Sequence, residues 1–317
     1  MSDEPTVGDI GEFAVIARAT RGRTQPATTL VGPGDDAAVV RAADGRVVAT
    51  TDMLVEGRHF RLDWSAPEQV GRKAIAQNGA DIAAMGARST SFLVSLGCPA
   101  DTPVSVTDGL TDGLWLEAVD LGAGIVGGDL VASDPLVISV SALGDLEGRS
   151  PVLLSGARDG DIVAVKGGLG ASAAGFALFV EANRNFPNLL AAHCVPSPPY
   201  ADGPRAAEHG ATAMTDVSDG LLDDLGHIAA ASGVLIDVRS EALPVDPEIA
   251  AAARVLGTDP IEWILTGGED HALAATFPAT TGAPTGWYRI GTVSAGDGVT
   301  VDGQRWHGAK GWQSFGQ

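Results

Sequence analysis

Positive charge is scarce in these 317 residues: twenty lysines and arginines stand against forty aspartates and glutamates, a net charge of −20, and the only lysines are Lys73, Lys166 and Lys310. A surface of that sign repels the phosphates of nucleic acid and of anionic lipid, so neither nucleic acid nor a membrane is expected as a partner. Cysteine is scarcer still. Cys98 and Cys194 stand alone, without CxxC spacing or a histidine pattern for zinc, which excludes a disulfide scaffold and fits reduced thiols in a cytoplasmic protein. Long apolar runs are missing too: the longest uncharged stretch, 271–288, is broken by Pro278, Gly282, Pro284 and Gly286, so no spanning helix is expected. Residues 1–5 show no signal-peptide character. No GxxxxGK[ST], HRD, DFG or GxSxG motif occurs, which excludes a Walker A site, a protein kinase and a nucleophile elbow.

Glycine is abundant, at 42 residues, without the three-residue period of collagen, and the 45% apolar and 19% charged content belongs to a folded chain. The length accommodates about two domains. Helical periodicity predicts helices over 10–19, 67–85, 104–121, 171–183, 221–231 and 247–256. Runs rich in Val, Ile, Leu and Thr predict strands over 46–51, 91–96, 136–143, 162–165, 235–238, 271–277 and 287–293. The irregular alternation predicts an α/β or α+β fold. The turn-rich segment 144–161 places a domain boundary near residue 147, giving domains 1–147 and 148–317, and the proline-rich stretch 186–204 reads as an irregular surface segment.

Chemistry is suggested by where the aspartates fall. Asp35 and Asp36 follow Gly32-Pro33-Gly34, Asp52 closes the strand-like run 47–51, and Asp129 follows the glycine-rich run 124–128. Ligands of α/β proteins gather where strands give way to loops. Asp81 shares a helix face with Ala74, Asn78 and Met85. Carboxylates converging from such positions require a cation, and oxygen donors without a Cys or His cluster suit Mg²⁺. In Thr215-Asp216-Val217-Ser218-Asp219-Gly220, Ser218 or Asp219 is expected to cap the following helix, while Asp216 and Asp219 face a strand-to-helix turn suited to metal-bound phosphate. The glycine loop 166–175 reads as a tight strand–helix turn or as a phosphate cradle. Thr266-Gly267-Gly268-Glu269-Asp270 is a further acidic turn, and His59 lies on the loop after Asp52. Phosphoryl transfer, which needs positioning and charge neutralisation rather than a protein nucleophile, fits this inventory.

Seven motifs now stand in order: Gly11-Glu12-Phe13, Gly34-Asp35-Asp36-Ala37, residues 50–60 (TTDMLVEGRHF), residues 78–87 (NGADIAAMGA), Val126-Gly127-Gly128-Asp129, residues 216–221 (DVSDGL) and residues 266–270 (TGGED). This series resembles the thiamine-monophosphate kinase family, within the superfamily of aminoimidazole ribonucleotide synthetase, and spans nearly the whole chain. The resemblance implies ATP-dependent phosphorylation of thiamine monophosphate to thiamine diphosphate. It implies a two-domain aminoimidazole ribonucleotide synthetase-like fold, in a homodimer whose N-terminal sheets pair into a barrel. It also implies several Mg²⁺ ions held by Asp36, Thr50, Thr51, Asp52, Asp81, Asp129, Asp216 and Asp219, ATP contacts from Gly128, Asp129 and Ser218, and substrate contacts from His59, Glu269 and Trp312. No general base or covalent nucleophile is expected, because the acceptor is an ionised phosphate monoester. One departure stands out: where the family carries Arg-Ser-Gly-Ala, this chain has Leu154-Ser155-Gly156-Ala157. Either Arg149 or Arg158 supplies that charge, or nucleotide binding is weaker. The competing readings are a sibling small-molecule kinase or synthetase and a non-catalytic nucleotide-binding homologue.

Overall fold

A computed structural model describes residues 4–34 and 37–308. The chain divides into two compact units, one of Met1–Ile82 with Arg88–Glu147 and one of Ala83–Ala87 with Gly148–Gln317.

In the first unit, short helices α1 (Val7–Ile10) and α2 (Glu12–Thr20) and the ribbon β1 (Thr29–Val31) and β2 (Val39–Val40) precede β3 (Val48–Val55), α3 (Pro67–Ala84), β4 (Arg88–Cys98), α4 (Val104–Asp120), β5 (Gly124–Ala132) and β6 (Val137–Asp145). The four long strands form one sheet in the order β3-β6-β4-β5. Strands β4 and β5 run parallel, which requires the crossover that α4 supplies, while β6 is antiparallel to both its neighbours. Strand alternation divides this sheet sharply: Leu54, Ile138, Val140, Ala142, Phe92 and Leu130 are buried on one face, whereas Met53, Leu93 and Val131 on the other are 53%, 40% and 54% exposed. Two glycines set the helix packing. A Cβ at Gly113 would stand 1.8 Å from Glu68 O, and one at Gly71 would stand 2.1 Å from Leu110 O, so α3 and α4 touch backbone to backbone.

The second unit contains β7 (Asp161–Lys166), α5 (Ala171–Val180), α6 (Pro187–Cys194), α7 (Asp202–His209), β8 (Ala213–Val217), α8 (Leu221–Ser232), β9 (Val234–Val238), α9 (Pro247–Leu256), α10 (Pro260–Thr266), β10 (Ala272–Pro278), β11 (Tyr288–Ala295) and β12 (Gly298–Val301). Its six-stranded sheet runs β12-β9-β11-β7-β10-β8, antiparallel except for β12 beside β9. Both faces are covered. Val163, Val165, Ala272 and Ala274 pack with Leu221, Leu225 and Ile264 on one side, and Ile162, Ala164, Leu273 and Phe277 with Ala206 and Trp287 on the other. Two buried faces explain why β7 and β10 read as unbroken apolar runs. Helix α9 matches its expected bounds because its ends are written in sequence: the Asp246 side chain accepts the Glu248 N–H, Pro247 opens the first turn, and Gly257 closes it at φ 69°.

Several elements depart from the sequence-based expectations. The stretch 186–204 is not irregular throughout, since it carries α6 and the start of α7, with Pro187 at a first-turn position where its missing N–H costs nothing. Strand β5 and helix α10 were not anticipated. Glycine hides β5: the glycine-rich run 124–128 is extended chain, and a Cβ at Gly128 would lie 2.0 Å from Val94 O of the neighbouring strand. Among the described residues no helix is long and apolar enough to cross a membrane.

Candidate active site

In the first unit the candidate residues grow out of β3 and α3. Period-two alternation places Thr50 and Asp52 on the helix-covered face with Leu54, and the three-residue step from Asn78 to Asp81 puts both on the same side of α3. Asn78 is fully buried. Its Nδ2 donates to Ala74 O at 2.9 Å and its Oδ1 accepts the Asp52 N–H at 3.1 Å, which satisfies a backbone donor on the outer side of edge strand β3. Thr50 Oγ1 donates to Asp81 Oδ2 at 2.6 Å. Thr50, Asp52 and Asp81 are thereby brought together. His59, on the loop after β3, accepts the Val55 N–H through Nδ1 at 3.0 Å, so its proton resides on Nε2. Lys73, only 2% exposed, donates to His59 O at 2.9 Å and fixes that loop from below.

Thr51 and Asp129 are placed differently. The rows Thr51–Ser141–Leu93–Gly127 and Met53–Ser139–Ser95–Asp129 lie on the open face of the sheet, opposite Thr50 and Asp52. Thr51 Oγ1 donates to Val140 O at 3.0 Å and accepts from Ser141 Oγ at 3.1 Å. The structure therefore does not bring the Thr51 hydroxyl or the Asp129 carboxylate to the Thr50, Asp52 and Asp81 cluster. Asp52 and Asp129 also sit within their strands, at neither a strand end nor a turn as expected, because the glycines before Asp129 and the threonines before Asp52 both continue as sheet.

The second unit gathers its acids around the turn from β8 to α8. Asp219, Asp224 and His227 offer ligand atoms that all lie within 4.8 Å of one another. Buried Asp216 is 2.9 Å from Nδ1 of His271. Asp224, 3% exposed, accepts the N–H groups of Asp219 at 3.1 Å and Gly220 at 3.0 Å. That bond corrects the expectation that Ser218 or Asp219 caps α8: the cap position is Gly220, without a side-chain bond, and the carboxylate reaches back from within the first turn. Burial first, then the charges of Asp216 and Asp219, pushes the Asp224 carboxyl up to about 7. Burial and Asp223 likewise raise Asp219 above the ordinary range. The carboxylates of Asp219 and Asp224 are crowded oxygen donors suited to a hard divalent cation and so fit Mg²⁺, with the His227 imidazole beside them as a nitrogen donor.

The acidic turn after α10 is built around Asp270. Its carboxylate accepts the N–H groups of Gly170 and, at 2.9 Å, of Ser172. The N-terminus of α5 is therefore occupied by an internal carboxyl group, which corrects the phosphate-cradle reading of loop 166–175 and supports the tight-turn one. Although Asp270 keeps some surface exposed, its carboxylate is enclosed, and desolvation pushes it up to about 7 against the opposing pull of these N–H donors. The flanking residues Glu269 and His271 adopt φ of 63° and 53°, left-handed values that side chains seldom take. Glu269 N–H donates to Ser218 O at 2.7 Å and His271 N–H to Val217 O at 2.8 Å, locking the turn onto the end of β8. Gly220 allows this approach, since a Cβ there would stand 2.8 Å from Thr266 O. Ser218 and Glu269 are thus neighbours, and Asp216 joins them through His271.

Asp36 and Trp312 lie outside the described residues. Asn78, Lys73, Asp224, Asp270 and His271 were not singled out as site residues from the sequence. Asp270 and Asp224 could have been found as second acids within motifs already noted, and Lys73 as a lone lysine in an apolar helix run.

Comparison with known proteins gives this geometry its relatives. The models for AIR synthase related protein match residues 34–146 with the N-terminal domain and residues 158–304 with the C-terminal domain. The thiamine-monophosphate kinase of Mycobacterium tuberculosis (strain CDC 1551 / Oshkosh) is 58% identical over 318 residues, covering 100% of this chain and 95% of the relative. That of Corynebacterium glutamicum is 48% identical, covering 99% and 96%. Among solved structures, AaThiL complexed with AMPPCP and TMP superposes with a TM-score of 0.81 at 33% identity, covering 99% of this chain and 100% of that one.

Proposed function

The chain belongs to the thiamine-monophosphate kinase family, and from that premise we infer that it transfers the γ-phosphoryl group of ATP to thiamine monophosphate, giving thiamine diphosphate and ADP. The observation that carries this reading is identity across the whole chain to kinases so named, joined to a relative of the same fold that takes an ATP analogue and TMP together.

Mg²⁺ is assigned to Asp36, Thr50, Thr51, Asp52, Asp81, Asp129, Asp216 and Asp219. When bound, the metal supplies the positive charge that a chain with only 20 basic residues lacks. Thr50, Asp52 and Asp81 present oxygens from one face of the first unit; Thr51 and Asp129 contribute from the open face of its sheet. Gly128 and Ser218 are assigned to ATP, with Asp129 shared between metal and nucleotide. His59, Glu269 and Trp312 are assigned to thiamine monophosphate: the Nε2–H of His59 is a donor for its phosphate or ring, and the Glu269 carboxylate is an acceptor for its aminopyrimidine.

The reaction needs little proton chemistry. An ionised phosphate oxygen of thiamine monophosphate attacks the γ-phosphorus in line, the bond to the ADP oxygen breaks, and no protein group carries the phosphoryl between them. We assign metal and nucleotide binding and dimerisation to residues 1–147, and the remaining α/β domain to residues 148–317. The half-exposed apolar face bearing Met53, Leu93 and Val131 supports a homodimer whose first-unit sheets pair into a barrel, in a cytoplasmic enzyme. Single turnover with γ-labelled ATP tests the chemistry: the label is expected to pass into thiamine diphosphate with none on the protein, and a labelled protein intermediate contradicts direct transfer.

A further inference from the structure

We propose that His271 is a positioning residue that orients the Asp216 carboxylate for its cation, an inference that rests on the assignment of Asp216 to Mg²⁺ given above. Both side chains are buried, and Nδ1 of His271 lies 2.9 Å from Asp216 Oδ2. Beside a carboxylate, which only accepts, Nδ1 is the ring atom that carries the proton and donates. The same residue grips β8 through its backbone, its N–H donating to Val217 O at 2.8 Å. Ring and backbone of His271 thus hold two consecutive residues at the end of the strand.

The contact is kept at a backbone cost. His271 takes a φ of 53°, a left-handed value seldom adopted outside glycine and asparagine. Such strain persists only where the surroundings hold it, and it gathers at functional sites. The ladder of β10 with β8 begins one residue later, with Ala272 opposite Val217 and Leu273 opposite Asp216, so the ladder fixes the Asp216 backbone while His271 addresses its carboxylate. That carboxylate stands among like charges, since it is one of those that raise the Asp219 and Asp224 carboxyls. Before a cation arrives, repulsion drives these groups apart. The hydrogen bond from His271 resists that swing and uses one of the two Asp216 oxygens, as the outer partners of metal-binding carboxylates do.

The test reads Mg²⁺ binding itself, by calorimetric titration of the metal-free protein with Mg²⁺ alone. His271→Leu is expected to weaken that binding about tenfold, the low end of the loss on removing a ligand's outer partner. The Mg²⁺ concentration for half-maximal turnover should rise by the same factor, with kcat recovered at saturating Mg²⁺. His271→Asn, which tolerates the left-handed backbone and keeps an N–H donor near the position of Nδ1, is expected to restore most of the affinity. His271→Gly relieves the backbone but has no donor, and is expected to bind Mg²⁺ as weakly as His271→Leu. In an Asp216→Asn background, His271→Leu is expected to add nothing, as befits a residue that acts through Asp216. Wild-type affinity in the Leu or Gly variant, an Asn variant no better than Leu, or additive losses overturn the proposal and assign His271 to packing. Wild-type Mg²⁺ affinity in Asp216→Asn alone refutes the assignment of Asp216 instead. Nitrogen NMR of the metal-free protein is expected to show Nδ1 protonated, and a ring protonated on Nε2 alone also overturns the proposal. If His271→Leu does not fold, His271→Gly is read in its place.

Discussion

Asp270→Ala is the most searching perturbation of the second unit, because one carboxylate secures the start of α5 and the acidic turn together. Its removal leaves the N–H groups of Gly170 and Ser172 without their acceptor, and both residues are buried. Each orphaned donor costs about 1–3 kcal/mol. The low end of that range, taken twice, gives about 2 kcal/mol. The loss should depend on pH. An ordinary aspartate at 3.8 raised to about 7 holds its proton in the folded chain after the unfolded chain has released it. Its contribution to stability is therefore fully present below pH 4 and declines as pH rises to about 7. The Asp270→Ala penalty is accordingly expected to be larger at pH 5 than at pH 8. Global unfolding of a two-unit chain mixes transitions, so hydrogen exchange at Gly170 and Ser172 is the better assay. A loss of 2 kcal/mol accelerates exchange by about thirtyfold. Unchanged protection of both amides would show that Asp270 is not their anchor, and a penalty that grows with pH would refute the raised carboxyl.

Three further expectations follow from particular residues. Leu154 lies in a short turn held by Ser232 Oγ donating to Leu154 O at 2.8 Å, while Arg149 is committed to Glu208 at 3.0 Å, leaving exposed Arg158 as the candidate cation nearby. Leu154→Arg should fold and lower KM for ATP about tenfold, the value of one charge-assisted contact to phosphate; an unchanged KM shows that no charge is missed there. Asp129→Asn should leave stability within about 0.5 kcal/mol, because Asp129 is exposed and bonds the N–H of Leu130, yet it should abolish turnover. Substantial activity at saturating Mg²⁺ removes it from the metal site. Because Asp224 titrates near 7 beside Asp216 and Asp219, Mg²⁺ binding should weaken from pH 8 to pH 6 and release protons, as calorimetry in buffers of different ionisation enthalpy can read. Affinity independent of pH would contradict placing the metal there.

Legibility in the sequence followed the physical origin of each feature. Helix α9 was readable to the residue because Asp246, Pro247 and Gly257 punctuate it, and the long helices α3 and α4 because their periodicity is sustained. Strand β5 was not, since its glycines are selected by the approach of β4 rather than by strand propensity. The candidate site was legible as motifs but not as geometry. Nothing in TTD announces that Thr50 and Asp52 face α3 while Thr51 faces the open side, because that depends on register with β6. Nor does the glycine loop disclose that an aspartate 98 positions later fills the helix end it prepares.

The central claim is tested most directly by incubating the protein with ATP, Mg²⁺ and thiamine monophosphate, with free thiamine in parallel, and measuring thiamine diphosphate and ADP by chromatography. Thiamine diphosphate formed from the monophosphate in step with ADP, and none formed from thiamine, is the predicted result; ATP binding without product from the monophosphate would contradict it.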